Sequence, residues 1–149
     1  MVGRQRFPEA EAAFRKALES SPNYAEAHSN LGAMLERQGK FAEAIEHYGT
    51  AARNKPNFRS AHFQLGRLLL MKRRTSEAIA QLSLTLTPED ADTPRFMYAL
   101  GVAYGEAGDY ANAARYLRDA GQRASTLGQG MLATQIEMAL RRVEQRSLR

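Results

Sequence analysis

Between Ala25 and Gly39 the apolar residues Ala27, Leu31, Met34 and Leu35 recur at three- and four-residue intervals, while the positions between them are mostly polar. That spacing places one apolar stripe on a helix. Gly39 ends the helix, because glycine enters the left-handed conformation at little cost. A second helix is predicted in FAEAIEHYGTAARNK, where Phe41, Ala44, Ile45, Tyr48, Ala51 and Ala52 share one face. Pro56-Asn57 closes the pair, since proline cannot continue a helix and disfavours helical geometry just before it. Small residues at Gly32 and Ala44 let the two backbones approach, with Leu31 and Tyr48 filling the space around them.

The pattern is copied along the chain. A shift of 34 residues carries Ala10 to Ala44 and Ala78, Phe14 to Tyr48 and Leu82, Ala17 to Ala51, and Pro22 to Pro56. It also carries His28 to His62 and Leu31-Gly32 to Leu65-Gly66; a further 35 takes that pair to Leu100-Gly101 and Ala78 to Ala113. Repetition of small, large and turn residues at a fixed period marks stacked supersecondary units.

Departures from the copy carry information of their own. The first unit begins at its second helix (PEAEAAFRKALESSPN), with Pro8 suited to a first turn. In the third unit Arg73 replaces the turn glycine and Thr75 the aromatic. That turn must either strain, at roughly 1–2 kcal/mol if Arg73 goes left-handed, or take another shape. Pro88 comes two residues early, and TPEDADTP predicts an irregular connector with a slight kink between Leu86 and Thr93. From Thr126 the sequence no longer repeats; Leu132, Ile136, Leu140 and Val143 form one stripe opposite Gln135, Arg141, Arg142 and Glu144, as expected of a capping helix.

These residues resemble the tetratricopeptide repeat family, in the manner of a bacterial-type scaffold protein or a fragment of one. Its pattern appears here as Leu31, Gly32, Gly39, Phe41, Ala44, Tyr48, Ala51 and Pro56, and the resemblance covers residues 7 to about 124. It implies an all-α fold: a right-handed α-α superhelix (solenoid) of antiparallel helix pairs. About three full units are expected, plus an N-terminal half unit and a C-terminal capping helix. The array is expected over residues 1–124, with a half unit at 7–22, units at 25–58, 59–92 and 93–124, and the cap at 125–149.

The resemblance also implies a protein–protein interaction scaffold that binds a peptide or partner protein in a concave groove lined by first helices. By helical phase the groove residues are Asn30, Phe63, Gln64, Arg67, Met71, Arg95 and Tyr98. Phe63 and Tyr98 are repeat-equivalent and expected to project outward as anchors. Arg67 and Arg95 are expected to meet an acidic or C-terminal carboxylate. The family's carboxylate clamp is matched only by Arg95 and, loosely, Asn30. The truncated first unit is expected to leave Ala10, Phe14 and Ala17 as an apolar edge, used for end-to-end self-association or covered by more chain in a longer protein.

Composition narrows the chemistry. The absence of cysteine excludes disulfides, thiolate metal sites and cysteine nucleophiles. His28, His47 and His62 have no neighbouring carboxylates at ligand spacing, so they read as spacers between helices and no metal is expected. Glu43 and Glu46 read as solvated charges. Gly32, Gly66 and Gly101 lie within predicted helices, and Gly128-x-Gly130 follows no strand, so no phosphate loop is indicated. No catalytic residue and no cofactor are therefore expected, and the chain is not read as an enzyme. The net charge is +5, from eight Lys/Arg against seven Asp/Glu in residues 1–58 and thirteen against nine in 59–149. That diffuse excess is weaker than nucleic-acid readers concentrate. An RNA-binding helical array is the alternative, but Ser29, Phe63 and Tyr98 at one lining position carry no base-reading code. A regulatory module of a larger enzyme is the other. The longest apolar run, Leu68 to Met71, is too short to span a bilayer, and the start shows no signal-peptide stretch, so a cytoplasmic location is expected.

Overall fold

The computed structural model describes residues 7–149, and these residues are all-helical. The expected array start at residue 1 therefore lies outside the described residues. The helices are α1 (Phe7–Ser20), α2 (Ala25–Arg37), α3 (Phe41–Asn54), α4 (Arg59–Met71), α5 (Thr75–Ser83), α6 (Thr93–Glu106), α7 (Tyr110–Thr126) and α8 (Gly130–Ser147). They divide into two compact units, one up to Leu68 and one from Leu69 onward.

In the first unit α2 packs along α3, and α1 lies against α2. The predicted stripe is the core: Ala27, Leu31, Met34 and Leu35 meet Ala44, Tyr48, Ala51 and Ala52, all buried. The reason for Gly32 is visible in the distances. A Cβ placed there would stand 3.1 Å from the Tyr48 ring. No side chain of α1 is buried.

In the second unit α7 lies between α6 and α8, with α5 against α6. Its core joins Met97, Ala113, Ala114, Leu117, Ala120 and Ala124 to Ile136, Ala139 and Val143 of α8. Here Gly101 is the close approach: an added Cβ would fall 2.8 Å from Leu117 Cγ. The last helix starts at Gly130 rather than near residue 125, because α7 runs on to Thr126 before Gly128, at φ +72°, turns the chain. The connector after α5 is irregular, as TPEDADTP implies; the peptide bond from Thr87 to Pro88 is cis, and the Asp90 amide donates to Thr93 Oγ1 at 2.8 Å.

Four helix ends close in the same way. Gly39, Gly108 and Gly128 have positive φ, and so does Arg73, at +62°. After each, the next backbone N–H reaches back to a carbonyl five residues earlier: Lys40 to Leu35, Arg74 to Leu69, Asp109 to Tyr104 and Gln129 to Ala124. This is the Schellman closure, which calls for a left-handed residue. Of the two outcomes open to the α4–α5 turn, the strained one is therefore realised, with Arg73 doing a glycine's work.

Candidate interaction surfaces

In the first hairpin, α2 keeps one face for α3 and exposes the other. In the first unit α2 exposes Asn30, Ala33 and Arg37, and α4 adds half-buried Gln64 and exposed Arg67. A cleft of about 430 Å³ opens there, lined by Ala33, Met34, Arg37, Phe41, Gln64 and Arg67 together with Glu36 and Tyr48. Its floor is apolar and its rim carries an amide and two guanidinium groups.

The rim is internally wired. Arg67 donates to Glu36 Oε1 and, through Nε and an Nη, to Gln64 Oε1 at 3.1 and 3.0 Å. The buried Tyr48 hydroxyl donates to Glu36 Oε2 at 3.3 Å. Burial, followed by the Glu36 charge, raises the Tyr48 phenol well above its ordinary value, so it remains a donor. Glu36 was not singled out from the sequence. Its spacing of 31 residues from Arg67, just short of one repeat, was the available signal.

Phe63 does not project outward. It is 9% exposed and belongs to the core, because its position on α4 turns it inward between neighbouring apolar residues. Tyr98 on α6 is half-buried, so the expected pair of open aromatic anchors is not present. Met71, at the end of α4, is 49% exposed. Arg95 on α6 is exposed; its guanidinium lies over the Phe96 ring at 5.4 Å and 4.0 Å from Asp92. On α1, Ala10, Phe14 and Ala17 are half-buried.

The histidines sit between helices as spacers do, and their contacts add detail. His28 Nε2 lies 2.8 Å from the Pro22 carbonyl, and His62 Nε2 lies 2.9 Å from Pro56 O, one repeat later. A carbonyl only accepts, so each Nε2 carries the proton. His28 Nδ1 then accepts from His47 Nδ1 at 3.0 Å, with the two rings stacked at 5.3 Å. Burial, then the His28 and Arg15 charges, lower the His47 imidazole below its ordinary value. Among the described residues no group of three or more His, Asp or Glu could hold a metal ion, and no helix is long and apolar enough to cross a membrane.

Helical hairpins with a small residue at each close approach and a left-handed turn at each bend define a helical-repeat protein. The chain belongs to the tetratricopeptide repeat family: models of that repeat match residues 2–57, 35–92 and 94–121. It is accordingly a protein–protein interaction module. Three similar solved structures share its fold. A MamA crystal structure is 19% identical, covering 95% of this chain and 88% of that one at a TM-score of 0.70. The TPR2B domain of yeast Sti1, solved as a pHsp70 complex, is 19% identical, covering 82% and 97% at 0.74. A tetratricopeptide repeat protein from Parabacteroides merdae is 19% identical, covering 96% and 56% at 0.77. No curated protein sequence matches the chain.

Proposed function

We propose that the chain is a scaffold that holds a peptide segment of a partner protein against the exposed faces of its first helices. The observation that carries this reading is the cleft of about 430 Å³ on the first unit, where an apolar floor sits beneath a rim of Arg37, Gln64 and Arg67. Apolar side chains of a peptide gain by burial there, while its amides and carboxylates find donors. Arg67 is held by Glu36 and Gln64, so it offers a preordered donor rather than a free cation, and Arg37 supplies the exposed positive charge. The Sti1 TPR2B complex supports the reading by fold, since a protein of this architecture is solved with a partner. Ala33→Trp fills the cleft from α2. It is expected to abolish capture of the partner from the native host, whereas Ala42→Trp, on the exposed face of α3, keeps it. Equal capture by both variants would refute cleft binding.

A second contact is favoured by α1, whose residues Ala10, Phe14 and Ala17 remain only half-covered. End-to-end self-association through this edge is the proposal. Light scattering over a concentration series is expected to show mass rising with concentration, and Phe14→Lys to suppress the rise. A constant monomer mass at every concentration would dismiss it.

A further inference from the structure

A second cleft, of about 100 Å³, lies wholly within the second unit, and its lining includes Val102 and Glu106 of α6, Tyr110 of α7, and Arg142 and Arg146 of α8. That is several times the roughly 30 Å³ share of a water molecule, room for a small apolar side chain. Glu106 shares the lining with the guanidinium groups of Arg142 and Arg146, and Arg73 reaches it from outside the lining. Arg73 approaches Glu106 at 3.7 Å with its own side chain 87% exposed. Arg142 and Arg146, one turn apart, make no ion pair or side-chain hydrogen bond among the described residues. Their neighbours on α8 are paired: Arg141 with Glu137 at 2.6 Å, and Glu144 with Arg118 at 2.9 Å. The positive charge of α8 is thus left unbalanced on the cleft side. The Arg73 backbone points to the same place. A side chain held at φ +62°, where three equivalent turns use glycine, is a local strain that invites a functional reading.

We infer that this cleft receives an acidic peptide segment of the partner, with one apolar side chain over Val102 and Tyr110 and carboxylates on Arg142, Arg146 and Arg73. The inference rests on the interaction-module reading above and assigns its acidic-recognition step to a different place from the first-unit cleft. Arginine suits the role because its planar fork meets a carboxylate with two hydrogen bonds. A peptide fits better than a nucleic acid, because an apolar side chain gains from the Val102 and Tyr110 lining that a phosphate backbone would leave unused.

The probe is the fluorescein-labelled peptide Asp-Asp-Leu-Asp-Asp, followed by anisotropy on the full chain, with Lys-Lys-Leu-Lys-Lys as its charge-reversed counterpart. The acidic peptide is expected to bind and the basic one not to. Arg142→Gln with Arg146→Gln is expected to weaken binding at least tenfold. Arg73→Gly, which relieves the turn and so folds at least as well, is expected to weaken it about two- to fivefold. Nitrogen-15 spectra should show the guanidinium Nε–H signals of Arg142 and Arg146 moving with the acidic peptide. No binding of the acidic peptide, or binding unaltered in these variants, overturns the inference. So does displacement of the peptide by a single-stranded RNA that binds more tightly. Peptide-induced shifts confined to Arg37 and Gln64 would overturn it while leaving the first-unit cleft standing. Loss of capture by Ala33→Trp alone bears on that cleft and not on this one.

Discussion

At the scale of single residues, the backbone dihedral of Arg73 makes the sharpest prediction. Left-handed geometry costs an L-residue roughly 1–2 kcal/mol, and glycine returns part of that gain through its freer unfolded state. Arg73→Gly is expected to raise stability by about 0.5–1 kcal/mol net, read as a higher urea midpoint at constant m-value. Gly101→Ala is the opposite case. Its Cβ would meet Leu117 at Cγ, a branch point that cannot swing aside, with the Ala113 carbonyl at 3.3 Å. Overpacking of about 1–3 kcal/mol is offset in part by the roughly 1 kcal/mol gained in helix propensity, so urea unfolding should show a net loss of up to about 2 kcal/mol. Gly32→Ala, whose neighbour is a ring edge at 3.1 Å, should lose less. The pH dependence follows from His47. Its folded value lies below the ordinary 6.5, so the unfolded chain binds the proton first as pH falls. Stability is therefore full above about pH 6.5 and declines as pH drops from there toward the folded value. Arg15 on α1 adds to the depression, while Glu43 and Glu46 on α3 oppose it. His47→Gln, the residue type found at the equivalent Gln81, should flatten the decline in urea midpoints measured across this window.

At the scale of elements, periodicity was a good guide where one face is buried on one neighbour. The stripes of α2 and α3 were legible from spacing alone, because Leu31, Leu35, Ala44 and Tyr48 alternate with solvated residues. The stripe on α8 was legible too, though only Ile136 and Val143 are buried while Leu132 and Leu140 are half-covered. Phe63 was misplaced because α4 has apolar residues around most of its circumference, from Ala61 and Phe63 to Leu65, Leu68 and Leu69. Phase says little when nearly every side is apolar. The long-range pairs Glu36–Arg67 and His28–His47 depend on rotamers and neighbouring helices, which spacing does not encode. The capping of α7 was equally hidden, though its parts are local. Asp109 accepts from the Asn112 amide at 3.1 Å and from the Asn112 side chain at 2.7 Å, and these bonds lower the Asp109 carboxyl below its ordinary range. Asp109→Ala removes this cap and should lower the thermal midpoint.

At the scale of the molecule, the repeat and its family were written plainly into the chain, whereas the binding surfaces were not. Lining residues evolve for a partner rather than for the frame, so a shared frame leaves them unspecified. Charge illustrates the difference. The net +5 looks diffuse in sequence, yet the ion pairs occupy many of the carboxylates and leave part of the excess on Arg142 and Arg146. A whole-chain consequence can be measured by filter binding. Single-stranded RNA should be retained only at low salt and without saturation, because the excess charge is spread thinly along the sequence. Tight, saturable retention at physiological salt would favour the RNA-array alternative instead.

The Glu36 carboxylate has one more implication. Tyr48 holds it from α3, Arg67 holds it from α4, and the residue itself belongs to α2. Three helices thus share a single anionic keystone, and none can swing away without stranding a buried phenol or a guanidinium. Amide protons in the α4 segment before Leu68 should therefore exchange with solvent in concert with those of α2 and α3, rather than earlier as a fraying end would. Glu36→Gln should uncouple them, letting the α4 segment exchange first.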